Sequence, residues 1–170
     1  MGLVIVLVDA WFGGYDGVPD PLGWALVLAG LLPLRDVLRG GALVGTAVVC
    51  LLVSLATYPP QVAGRLDDTG GWALSLPQLA FGFLLCTALA ENLVGEPGPL
   101  AGRFRVLRWL FVVLAVAPVV VLGGGVEVLR DPLAFTVVAV QAYFVYLLFA
   151  ASGRVPGPPG EPAADRPVTG

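Results

Sequence analysis

Histidine is absent from the 170 residues, and so is lysine; all nine basic side chains are arginine. Without histidine the chain has no histidine-ligated haem or zinc and no Ser-His or Cys-His nucleophile pair. The lack of lysine, beside 23 Gly and 15 Pro, reads as the mark of a GC-rich coding sequence rather than a physical requirement. Charge of either sign is scarce. Only 12% of residues are charged, about half the share of an ordinary soluble domain. The net charge of -3 leaves no basic face to meet phosphates, so nucleic acid is excluded as an expected partner. The two cysteines, Cys50 and Cys86, lie in apolar runs and form no CxxC pair. They read as small buried hydrophobes, and a disulfide would require two helices to set them side by side.

In place of charge the chain has apolar length, with 58% hydrophobic residues. A helix that crosses the ~30 Å hydrocarbon core of a bilayer needs about 20 apolar residues. Four stretches qualify: 41–58, 71–90, 106–123 and 132–151. Two shorter ones, 2–12 and 21–34, cover about 17 and 20 Å as helices. Between them lies a turn rich in helix-breaking residues, 13–20. The expected fold is all-α: a polytopic transmembrane helical bundle of four full-length helices. Two short N-terminal helices, spanning or re-entrant, would complete it. The membrane domain covers 1–151. The tail 152–170 is rich in Pro and Gly and is expected to be disordered and cytoplasmic. The first apolar run has no preceding basic residue and a poor cleavage context, so it reads as retained rather than as a signal peptide.

Arginines favour the cytoplasmic side of short loops. Arg35, Arg39, Arg103, Arg105, Arg108, Arg154 and Arg166 fall on one side, against Arg65 and Arg130 on the other. Both termini are therefore expected in the cytoplasm, with the chain in a bacterial inner membrane. Trp11, Phe12, Tyr15, Trp24, Tyr58, Trp72 and Phe135 then fall near the outer interface, with Phe104 and Trp109 near the inner one. Their positions favour an aromatic belt; packing between helices is the alternative for Trp24 and Trp72.

Three outer segments, beginning at Asp20, Asp68 and Asp131, each place an acidic residue before a helix and an aromatic shortly after. The pattern is either helix-start chemistry alone, or a trace of three duplicated helical hairpins.

Polar residues inside or beside the apolar runs are the candidate sites. Asp9 interrupts the first run, where a carboxylate signals a structural partner or proton and ion handling. Asp16 and Asp20, with Trp24, form the densest outward polar cluster. There the two carboxylates either cap and order the turn or hold a cationic group. Gln78, Gln141 and Tyr143 lie at membrane depth, and Pro77 beside Gln78 frees a backbone carbonyl. These amides either glue helices together or line a solute path. Gly41 and Gly45 form a GxxxG face suited to close helix packing. No catalytic set, cofactor-binding motif or metal-ligand cluster is present in the sequence, so neither enzyme activity nor a cofactor is expected.

The segment Tyr15-Asp16-Gly17-Val18-Pro19-Asp20-Pro21-Leu22-Gly23-Trp24 resembles a turn in a group of uncharacterised small bacterial membrane proteins. In these an aromatic-Asp-x-x-Pro-Asp-x-x-Gly-aromatic pattern joins the first two hydrophobic segments. The resemblance covers about the first 40 residues and implies a polytopic membrane fold. It carries no activity, cofactor or substrate.

Two functions remain open. The first is a non-enzymatic scaffold or accessory subunit, bound through helix faces such as Gly41/Gly45 to a membrane-protein partner or to a second copy. The second is a small-solute or ion transporter or channel, lined by the intramembrane polar residues. In both the lipid bilayer is the common partner.

Overall fold

The computed structural model of the chain describes residues 11–12, 15–16, 20–38, 40–63, 65, 68–93, 99–124 and 127–152. Asp9 and the tail from 153 onward lie outside the described residues. At the start, β1 (Trp11–Phe12) pairs antiparallel with β2 (Tyr15–Asp16), Trp11 opposite Asp16 and Phe12 opposite Tyr15. Gly13 and Gly14 stand between them, a pair suited to a two-residue hairpin connection. This corrects the expectation of a helix over 2–12 that runs through Phe12: its last two residues are extended.

The rest of the described architecture is helical. α1 (Asp20–Leu31) passes into a 3₁₀ turn at Leu32–Leu34. There follow α2 (Gly41–Thr57), a single turn α3 (Pro60–Ala63) and α4 (Asp68–Asn92). α5 (Leu100–Gly123) leads through a 3₁₀ turn at Glu127–Leu129 to α6 (Arg130–Ala151). Asp20, Asp68 and Asp131 each fall within the first two residues of a helix, where a negative charge complements the N-terminal dipole. Pro33 does not bend α1; it sits in the 3₁₀ turn where the α-helix has ended. Pro77 and Pro118 are carried inside α4 and α5.

Three helices are long and apolar enough to cross a membrane, at Thr69–Asn92, Leu100–Val121 and Asp131–Ala151. This is the make-up of a membrane-embedded helical protein. α2, read from the sequence as a fourth full-length span, has 17 residues, a rise of about 25 Å. Asp20–Leu34 is shorter still.

The helices pack as a chain of neighbours: α1 on α2, α2 on α4, α4 on α5, and α5 on α6. The contact faces of α2, α5 and α6 show the same spacing. α2 buries Leu43, Ala47, Cys50 and Ser54, and α5 buries Leu100, Phe104, Leu107, Phe111 and Leu114. α6 buries Val140, Phe144, Leu147 and Ala151. Steps of alternating three and four residues make a heptad seam, the geometry of gently left-handed helix packing. The opposite faces are equally apolar and exposed, with Val106, Val113, Val116 and Val120 outward on α5.

Candidate functional site

One end of the bundle contains a pocket of about 230 Å³ between the start of α1, the end of α2 and the first half of α4. Asp20 and Trp24 reach it from α1, Ser54 and Thr57 from α2, and Ser75 and Gln78 from α4; Cys50 lies deeper on its wall. Five polar side chains thus converge from three helices that are otherwise almost wholly apolar.

The hydroxyls in this wall are not equivalent. A buried helical Ser or Thr ordinarily donates to a carbonyl three or four residues earlier in its own helix. Thr57 Oγ1 donates to the Val53 carbonyl at 2.9 Å, and Ser75 Oγ donates to the Trp72 carbonyl at 2.7 Å. Thr46, Thr87 and Thr136 do the same elsewhere. Ser54 is the exception. It is only 9% exposed and lines the pocket, and among the described residues its hydroxyl donates no such bond. Gln78 is half-buried in the same wall, and its amide has no hydrogen-bond partner among the described residues. Neither group is sealed from solvent: among the described residues the buried side-chain polar atom without a partner is Arg108 Nε, so Ser54 and Gln78 face whatever fills the pocket, water or a polar ligand.

Trp24 forms the floor on the α1 side. It is 2% exposed and meets Phe81 of α4 edge-on, with ring centroids 5.1 Å apart. The aromatic belt expected from its position is therefore corrected: Trp24 is a core residue that wedges α1 against α4. Phe104, expected near the inner interface, is likewise fully buried. Trp72 also packs between helices, its indole N–H donating to the Ala115 carbonyl of α5 at 3.0 Å. Ala115 lies one turn before Pro118, a residue that loosens the carbonyls of the preceding turn.

The other sequence candidates lie apart from the pocket. Asp16 is described only by its backbone in β2. Gln141 is half-buried on α6, and Tyr143 is exposed there, stacked on Tyr146 at 6.2 Å. Neither lines the pocket with Gln78. Gly41 and Gly45 face outward, and an added Cβ at either would meet nothing within 4 Å. The close glycine contact is elsewhere, at Gly82, where a Cβ would stand 2.6 Å from Phe111 Cζ. Cys50 and Cys86 are both buried free thiols. At the other end of α5 the buried Arg108 Nε has no partner, and the guanidinium lies 5.5 Å from the Trp109 ring centroid.

Sequence reasoning picked out Asp20, Trp24 and Gln78 but missed Ser54 and Thr57. Nothing in the run 41–58 distinguishes a serine that faces a cavity from one bonded to its own helix. Compared with protein-family models, curated proteins and solved structures, the chain matches none, so fold and geometry carry the functional argument.

Proposed function

We propose that this is a non-enzymatic polytopic membrane protein that binds a small polar solute in the α1–α2–α4 pocket, in the manner of a transporter or its binding subunit. The observation that supports this reading is the convergence of Asp20, Ser54, Thr57, Ser75 and Gln78 on one pocket within an apolar bundle. A structural role alone would leave Ser54 and Gln78 bonded to a helix, and they are not. The experiment is a thermal-unfolding screen of the detergent-purified chain against amines, polyols, carboxylates and alkali salts. A saturable stabilisation that Ser54→Ala and Gln78→Leu both lose is expected. No response to any class would overturn solute binding.

Four spans follow in this reading, with α2 crossing by local thinning of the bilayer or snorkelling of its flanks. α1 and the preceding apolar segment form the remaining short pair. The arginine bias assigns both termini to the cytoplasm of a bacterial cell, which puts the pocket at the outer face.

A scaffold role is the second reading, favoured by the open space beside Gly41 and Gly45. A GxxxG face unused within the chain is available to a partner helix. Gly45→Leu would then abolish self-association or co-purification of a partner while leaving the pocket responses intact.

A further inference from the structure

The hydrogen-bond pattern of the pocket restricts what it holds. Thr57 and Ser75 have already donated their hydroxyl protons to Val53 and Trp72. A hydroxyl oxygen so engaged still has a lone pair and no second proton, so each presents only an acceptor to the cavity. Asp20, when ionised, is also acceptor-only. Ser54 and the Gln78 amide adapt to either role. Among the described residues no arginine lines the pocket. The described lining therefore presents acceptors at fixed positions, and its matching ligand is a donor.

Three further features narrow the class. Among the described residues a single carboxylate lines the cavity, too little anionic charge for a divalent ion, which takes several oxygen ligands with two or more carboxylates. The 230 Å³ available far exceeds the space of one water, so a bare monovalent ion would rattle. Trp24 also lines the pocket, and aromatic side chains attract organic cations through their quadrupole.

Building on the solute-binding reading above, we infer that the pocket binds a small organic ammonium group, its N–H donors directed at Asp20, Thr57 and Ser75 beside the Trp24 ring. An ammonium has up to three donors and no acceptor, the complement of this wall. Ser54 and Gln78 then contact the uncharged remainder of the ligand. The ammonium is carried either by a free amine or by a lipid headgroup reaching the same end of the bundle.

The full chain is purified in a neutral detergent, and its melting temperature is followed as ethanolammonium chloride is raised at constant ionic strength. Ethylene glycol and sodium chloride serve as the neutral isostere and the bare-ion control. The expected result is a saturable rise with ethanolammonium alone. Asp20→Asn keeps the helix-start chemistry, because Asn caps as well as Asp, and is expected to raise the apparent Kd by about tenfold or more. Thr57→Val and Ser75→Ala serve as milder variants should Asp20→Asn fold poorly, each weakening ethanolammonium more than any neutral probe. Nanodiscs with and without an ethanolamine headgroup lipid separate the sources. Stabilisation by the lipid that free ethanolammonium no longer increases assigns the headgroup, and an undiminished response to the free amine assigns a soluble ligand. A response to ethylene glycol alone, or an equal response to sodium, would overturn the ammonium inference and leave solute binding standing. Silence of every class in the wider screen would overturn both.

Discussion

Phe111 lies against α4 because position 82 has no side chain. The ring is buried and also meets Phe144 edge-on, with centroids 5.3 Å apart, so it has little room to swing away. Gly82→Ala is therefore expected to destabilise the protein by about 1–3 kcal/mol, the usual cost of overpacking a filled core. Gly45→Ala, with open space around its Cβ, should be neutral or gain up to about 1 kcal/mol from reduced backbone entropy. Melting curves for the two variants in the same detergent check this, and equal midpoints would show that the Gly82 contact is slack. A second residue-scale expectation concerns the indole of Trp72. Trp72→Phe keeps most of the ring and removes the bond to the Ala115 carbonyl. A loss of about 0.6–1.7 kcal/mol is expected, the range of interhelical hydrogen bonds in membranes. At this scale the sequence was legible where chemistry is local. Asp20 and Asp131 could be placed at helix starts because a carboxylate there meets the dipole of its own helix. Ser54 was not legible, because whether a hydroxyl bonds back to its helix or faces a cavity depends on a neighbouring helix.

Among the elements, α6 differs from α4 and α5 in how it is held. It takes its packing mainly from α5, through Val140, Phe144, Leu147 and Ala151, and its other faces are exposed. Phe144→Ala removes both the edge-on contact with Phe111 and the largest knob of that seam. A cost of about 3 kcal/mol or more is expected, borne by α6 first. Hydrogen exchange in detergent should show faster opening across Arg130–Ala151 while α4 keeps its protection, because sub-global opening follows the weakest interface. Uniform acceleration across all helices would mean that α6 is no separate unit. Helix positions were largely readable from apolar length, and the start of α5 shows the limit of that signal. The apolar run begins at Val106, whereas the helix begins at Leu100 and includes Arg103 and Arg105 as exposed residues on its first turns. Hydropathy stops at the first charges; backbone hydrogen bonding does not. The opposite error occurs at the N-terminus, where apolar character runs through Phe12 but the backbone there is extended.

For the whole molecule, the unequal distribution of arginine predicts that residues beyond Ala151 and the loop 35–40 share the cytoplasmic side. A reporter active only outside the cytoplasm should be silent when fused after Ser152 and active when inserted at 125–126. The reverse pattern would invert the bundle and turn the pocket toward the cytoplasm. What the sequence determined alone is the class and the three helices long and apolar enough to cross a membrane: too few charges for a soluble surface, and apolar segments of the length a bilayer demands. It could not choose which face of each helix is inward, because these helices are apolar all round and lipid is as apolar as a helix interface. That choice fell to shape. The seams through Ala47, Gly82 and Phe111, and the wedge of Trp24 on Phe81, set the helices at positions that leave a gap lined by Asp20, Ser54, Thr57, Ser75 and Gln78. These five come from segments up to 58 residues apart in the chain, and only packing between helices brings their polar atoms to one cavity.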